Sequence, residues 1–252
     1  MIKRLIKGWL ESSGYAIYNK RVHYSRDGLT TLHNDSFRSD PEFQAAYRRG
    51  VKASHGVDPQ FEWRVHIALW VARNALLVPG DFVECGVNAG FISSAIMHGI
   101  GWGRIKKQFF LVDTFAGPVL AQYSVEEIAR GRQKIATDAM AAGAYVTQVD
   151  SVRANFAEWP NAAVIQGPVP DVLVRLNVEK LAFLHIDMNC AEPERAALEF
   201  FWEKLSPGAF VLLDDYAYAG HDCQKAAIDE VARTLGANVA ALPTGQGLIL
   251  KP

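Results

Sequence analysis

The acidic residues Glu84, Asp113, Asp187, Asp214 and Asp215 each lie at the end of a short apolar run. A carboxylate in that position can accept hydrogen bonds from ligand hydroxyls, take up a proton or hold a hard cation. A glycine-bearing turn follows the first run: Gly86 can adopt tight-turn dihedrals and Gly90 lets a ligand or another backbone come close, because neither carries a Cβ. Its Gly-x-x-x-Gly spacing fits a nucleotide-like ligand but not the Gly-x-Gly-x-x-Gly of dinucleotide binders, so a nicotinamide-dependent oxidoreductase is disfavoured.

Asp113 ends the second run, where an acid would accept from both hydroxyls of a ribose; the plainer alternative is that it caps the following loop. Asp187, Asp214 and Asp215 converge if their runs are neighbours in a sheet, and three such carboxylates raise one another's pKa values unless a cation compensates them. A hard ion such as Mg²⁺ is one resolution. The other pairs Asp187 with a basic side chain and leaves Asp214-Asp215 as a turn and helix cap. Tyr216 and His221 follow on the same loop and could face a substrate. His185 reads as a packed core histidine, and Cys85 and Cys190 as small buried residues.

Positioning these groups requires alternating strands and helices. Phe82 to Cys85, Phe109 to Val112, Ala162 to Ile165, Leu181 to Ile186 and Phe210 to Leu213 are near-continuous apolar runs, as expected of parallel strands covered on both faces. Val239 to Leu242 and Leu248 to Leu250 lie too close together for a crossover and predict an antiparallel pair. Ser39-Asp40-Pro41-Glu42 starts a helix running to about Lys52, and a second runs from Glu62 to Leu77, stopped by Pro79-Gly80. Ser124 and Glu127 form a capping box opening a helix to Gly143. Further helices follow Asp150-Ser151, begin near Pro193, and run from Asp222 to Gly236. Residues 1–39 carry little pattern beyond turns at Asp27-Gly28 and His33-Asn34-Asp35.

With 252 residues, half of them apolar, the chain can build one large α/β core plus an N-terminal extension. A formal charge of −1 without charge blocks argues against a nucleic-acid surface and for a small-molecule partner. Three scattered cysteines make neither a disulfide framework nor a zinc site, which fits the cytoplasm. Basic residues interrupt the N-terminal apolar run, so no signal peptide or spanning helix is expected; an amphipathic helix at a membrane surface, a dimer or the core remains open.

Taken in order, Val83-Glu84-Cys85-Gly86-Val87, Asp113-Thr114-Phe115, Leu184-His185-Ile186-Asp187 and Leu213-Asp214-Asp215-Tyr216 resemble the motifs of class I S-adenosylmethionine-dependent methyltransferases, and more narrowly of the macrocin O-methyltransferase family of sugar methyltransferases. The resemblance covers Val65 to the C-terminus. It implies a Rossmann-like, seven-stranded mixed sheet with the last strand antiparallel and helices on both faces. It further implies a catalytic domain over 61–252 behind a helical extension, 1–60, serving as a lid or dimer contact.

On this resemblance, S-adenosylmethionine lies over Glu84, Gly86, Val87, Asn88, Gly90 and Ser93, with its ribose at Asp113, Thr114 and Phe115. Asp187, Asp214 and Asp215 become Mg²⁺ ligands, and Asp187 takes the acceptor's proton. The implied activity is metal-dependent O-methylation of a sugar, a glycan precursor or a glycosylated natural product by a homo-oligomer. A catechol-like acceptor, or a cofactor-binding protein with a decayed pocket, are the alternatives. The chain departs from the family's pattern at Ala89, where an arginine is common, and around Asn189 and Ala191, where a second acid and a tyrosine are usual.

Overall fold

Runs that are apolar at every position are buried on both faces, and here four of the five form the centre of the sheet, while Ala162 to Ile165, expected to be covered likewise, is a half-buried edge strand. The structure, a computed structural model, describes residues 2–14 and 23–252; residues 1 and 15–22, part of the expected extension, lie outside the described residues. In chain order, helix α1 (Ile2–Ser12) precedes a hairpin of β1 (Tyr24–Arg26) and β2 (Leu29–Thr31). Asp27 and Gly28 both have positive φ, 51° and 72°, as a two-residue hairpin turn requires. The turn is as expected, but strands of three residues are too short to show alternation in the sequence.

Helices α2 (Pro41–Ala53) and α3 (Glu62–Ala75) come next. The start of α2 is as predicted: Pro41 occupies its first turn and Asp40 accepts a hydrogen bond from the Glu42 amide. The remaining elements are β3 (Asp81–Cys85), α4 (Phe91–Gly99), β4 (Phe109–Asp113), α5 (Val125–Ala129), α6 (Arg132–Ala141), α7 (Val149–Phe156), β5 (Ala162–Gln166), β6 (Leu181–Ile186), α8 (Ala191–Phe201), β7 (Leu205–Leu213), α9 (Asp222–Thr234), β8 (Ala240–Ala241) and β9 (Gly247–Leu250).

The large sheet has seven strands in the order β5-β4-β3-β6-β7-β9-β8. β5, β4, β3, β6 and β7 run parallel, and β9 is antiparallel to both of its neighbours, as expected from the closing hairpin. Alternation divides the core. Phe82, Phe109 and Phe183 face α3 and α4 with Leu69, Ile96 and Trp102, while Val83, Leu184 and Val211 face α8 and α9 with Phe201 and Ile228. Register sets Glu84 beside His185 and His185 beside Leu212, so these residues share the α3 face, and continuing the alternation past β7 brings Asp214 to the same face.

Two expectations are corrected. The helix predicted from Ser124 to Gly143 breaks into α5 and α6 because Gly131 sits at φ 77°. Strand β7 starts at Leu205, not Phe210, since Leu205 already pairs with Leu181 ahead of a register shift, so Ser206-Pro207-Gly208 lies within the strand. Among the described residues no helix is long and apolar enough to cross a membrane.

Candidate functional site

The parallel strands all end at one edge, and the turn after β3 shapes it. Gly86 has φ 93°, and a Cβ there would lie 1.7 Å from the Asp187 carbonyl oxygen. Only glycine lets the β3 turn and the end of β6 come this close. Gly90 has φ 85° and would set a Cβ 2.5 Å from the Phe156 ring. The close approach expected at Gly90 is therefore made by the protein's own Phe156 side chain, and Gly86, expected as a tight-turn residue, admits a second one by backbone.

Asp113 organises the turn. Its Oδ2 accepts from the amides of Val87 (2.7 Å) and Asn88 (2.8 Å), and its Oδ1 from the amide of Phe115 (2.7 Å) and, more distantly, the Thr114 hydroxyl (3.3 Å). It thus caps its own loop and also ties that loop to the glycine turn. Asn88, held at φ 48°, donates from its side chain to the Ala144 carbonyl (3.0 Å) and accepts from the Val146 amide (2.8 Å). The segment between α6 and α7 is thereby pinned over the turn.

Two cavities flank this arrangement. One, of about 120 Å³, is lined by Asp113, Thr114, Gly117, Val169 and Asn189; the other, of about 470 Å³, by His55, Phe61, Glu84, Val87, Ala89 and Ile92. Gly86, Asn88, Tyr145 and Asp187 line both. Behind them Ser93 and Phe115 are buried, and Gly90 supports the turn from below.

A chain of buried charges crosses the strand ends. Glu84 Oε1 lies 2.9 Å from His185 Nδ1, and His185 Nε2 lies 3.8 Å from Asp214 Oδ1, within ion-pair range but beyond a hydrogen bond. Burial pulls the imidazole's pKa down, but Asp214 and Glu84 outweigh it and push it to about 10, so His185 is a cation at neutral pH. The core histidine of the sequence reading is thus a buried ionic link. Glu84 Oε2 is buried without a partner in the wall of the larger cavity.

Asp214 is held from the other side by Arg64, whose Nη1 donates to its Oδ2, while Gln246 Nε2 donates to Oδ1 at 2.9 Å. Burial raises the Asp214 pKa, and Arg64 and His185 overcompensate, leaving it well below the usual carboxylate range. Arg64 continues outward: Nε and Nη2 donate to Asp27 at 2.7 and 3.3 Å, and Tyr218 stacks 4.4 Å from the guanidinium while its hydroxyl donates to Asp27 at 3.2 Å.

Asp215 lies 3.5 Å from Arg64 Nη1 and 3.3 Å from His221 Nδ1, and burial beside Asp214 raises its pKa to about 7. Arg132 Nη2 is 2.8 Å from His221 Nε2. Arginine can only donate, so Nε2 accepts, while Nδ1 lies 2.9 Å from the Gln224 side-chain amide. Burial, Arg132 and Arg64 lower the His221 pKa to about 4, so the ring is neutral. Asp187 is half-buried near Asp214 and Asp215, and desolvation with these two charges raises its pKa well above the usual carboxylate range.

The structure gathers Asp187, Glu84, Gly86, Val87, Asn88, Asp113 and Thr114 around the cavities. Asp214, Asp215 and His221 stand behind Asp187 and line neither. Tyr216 is turned away: its ring packs against Gly247, and its hydroxyl donates to Asp229 at 2.5 Å. Three carboxylates do meet, as expected, but they do not form the expected Mg²⁺ cage. Both Asp214 oxygens are taken by Arg64 and Gln246, and among the described residues no group of three or more His, Cys, Asp or Glu side chains is arranged to hold a metal ion.

Sequence reasoning missed Arg64, Asp27, Tyr145 and Arg132. Arg64 left a signal, since it occupies the buried-face spacing of α3 with Ala68, Val71 and Ala75, where an unpartnered charge would be costly. Asp27 was visible only as a turn residue.

A profile of the macrocin O-methyltransferase family (TylF) matches residues 69–237. The 8-demethyl-8-(2,3-dimethoxy-alpha-L-rhamnosyl)-tetracenomycin-C 4'-O-methyltransferase of Streptomyces olivaceus is 30% identical over 146 residues, which are 56% of this chain and 54% of that protein, so the chain spans about half the length of this curated relative. The fold is shared with the O-methyltransferase NovP, at 21% identity and TM-score 0.62 over 75% of this chain and 79% of that one. It is also shared with the calicheamicin methyltransferase CalS11, at 16% identity and TM-score 0.57 over 87% of this chain and 98% of that one. With its strand-end motifs inside the matched segment, the chain belongs to the macrocin O-methyltransferase family.

Proposed function

We propose that this chain transfers a methyl group from S-adenosylmethionine to a hydroxyl of a sugar or of a sugar-bearing natural product. The observation that carries the reading is Asp187, a half-buried carboxylate in the wall common to both cavities. The sugar class is taken from the Streptomyces relative, whose name assigns it a 4'-O-methylation on a rhamnosyl tetracenomycin.

The residues fit the cofactor on one count in particular: Glu84 lines the larger cavity and carries a buried oxygen, Oε2, without a partner, which the ammonium of a methionine moiety would satisfy. Glu84, Gly86, Val87 and Asn88 would hold that end, with Asp113 and Thr114 at the nucleoside end. When bound, S-adenosylmethionine supplies a methyl carbon already activated by a sulfonium. The chain's own residues then have two tasks, orientation and deprotonation. Phe61 and Tyr145 give the larger cavity flat walls for a sugar's C–H face. Asp187 would accept the hydroxyl proton as the oxygen–carbon bond forms, and its raised pKa makes it a stronger base than an ordinary carboxylate. No step is assigned to Mg²⁺, because Asp214 is already engaged. Three free cysteines, two of them buried, favour the cytoplasm as the place of action.

Calorimetric titration with S-adenosylmethionine tests the cofactor reading. Wild type should bind it, and Glu84→Gln should weaken binding about tenfold or more, the worth of one charged hydrogen bond. Tight binding of NAD without any affinity for S-adenosylmethionine would contradict it.

A further inference from the structure

The acidic pair at the end of β7 carries its own cation. Arg64 Nη1 bridges Asp214 and Asp215, and the other edge of the guanidinium is gripped through two hydrogen bonds by Asp27 at the tip of the β1-β2 hairpin. Tyr218 covers the guanidinium face at 4.4 Å, and only 6% of Arg64 is exposed. Nε, Nη1 and Nη2 all face a carboxylate, a use of the planar fork that lysine could not reproduce. Asp27 and Arg64 both precede residues 69–237, so this arrangement is built by parts of the chain that the family profile does not reach.

We propose that Arg64, held by Asp27, is the resident cation of the Asp187, Asp214 and Asp215 cluster, fills the place of a divalent ion there, and positions Asp214 and Asp215 behind Asp187 without metal. The inference rests on the proposed methyl transfer for the role of Asp187 but not for the charge arrangement itself. A ligand carboxylate must offer free lone pairs to an ion. Asp214 has given both oxygens to Arg64 and Gln246, and Asp215 has one oxygen 3.5 Å from Arg64 Nη1 and the other 3.3 Å from the His221 ring.

The test is the uptake of Mn²⁺, a spectroscopic stand-in for Mg²⁺, by the full chain, followed by electron paramagnetic resonance. Wild type should show no saturable stoichiometric site at this cluster. Saturable uptake that Asp187→Asn or Asp215→Asn abolishes would overturn the proposal, whereas uptake that persists in both variants lies elsewhere and leaves it standing. Folded Arg64→Ala protein should gain Mn²⁺ affinity by about tenfold or more, because freed carboxylates make a hard-ion site. A merely structural arginine would give no such gain, and a folded variant without it would also count against the proposal. Should Arg64→Ala fail to fold, the wild-type titration decides alone. S-adenosylmethionine binding measured on the same wild-type sample with chelator present reports separately on the methyl-transfer reading: its loss would sink that reading, not this one.

Discussion

Asp187→Asn should lower kcat by about 10²–10⁴-fold while S-adenosylmethionine affinity stays close to that of wild type. Asparagine keeps the shape and the Asp187 carbonyl that packs on Gly86, but it cannot accept a proton. The pH dependence follows from the direction of the shift. Burial and the charges of Asp214 and Asp215 raise the Asp187 pKa, and a base works only when deprotonated, so wild-type kcat should fall with decreasing pH through a midpoint above the ordinary carboxylate range. The residual activity of Asp187→Asn should lack that limb. Steady-state kinetics across pH check both statements; a variant within a few-fold of wild type would remove Asp187 from the chemistry.

Arg64→Met should cost about 3–5 kcal/mol of folding stability at neutral pH, because it strands Asp27, Asp214 and Asp215 without the charge they share. The sign of its pH dependence is fixed by Asp214. A depressed folded pKa contributes stability above the ordinary unfolded value, about 3.9, and that contribution is lost as pH falls through the folded one. The gap between wild type and variant should therefore be widest near neutrality and shrink in acid, where the stranded carboxylates take up protons. Urea unfolding at several pH values reads this directly, and equal stability at neutral pH would mean that the ion chain contributes nothing.

Much of the sheet was legible because buried parallel strands are apolar throughout, and β3, β4, β6 and β7 each carry an acid at or just past the end. Glu84, Asp113, Asp187 and Asp214 could be placed at one edge from spacing alone. The capping box at Ser124 and Glu127 was also legible, although not its second use, in which Glu127 Oε1 accepts the Ala191 amide at 2.9 Å and ties α5 to the start of α8. What could not be read were partnerships across long sequence separations. Asp27, Arg64 and Tyr218 meet through a hairpin of three-residue strands, a helix and a loop, and no local pattern announces that contact. The same limit explains the metal expectation. A carboxylate trio demands a cation, but sequence spacing does not distinguish a bound ion from an arginine 150 residues away in the chain. Tyr216 illustrates the reverse error, since its position after Asp215 suggests a substrate contact while its hydroxyl is committed to Asp229.

The most direct test of methyl transfer to a sugar hydroxyl is mass spectrometry after incubating the full chain with methyl-deuterated S-adenosylmethionine and a panel of rhamnosyl-type glycosides and nucleotide deoxysugars, with chelator present. Wild type should place label in the sugar fragment, and Asp187→Asn should lose nearly all of it. Label confined to a phenolic or other non-sugar hydroxyl, or sugar labelling undiminished in Asp187→Asn, would contradict this reading.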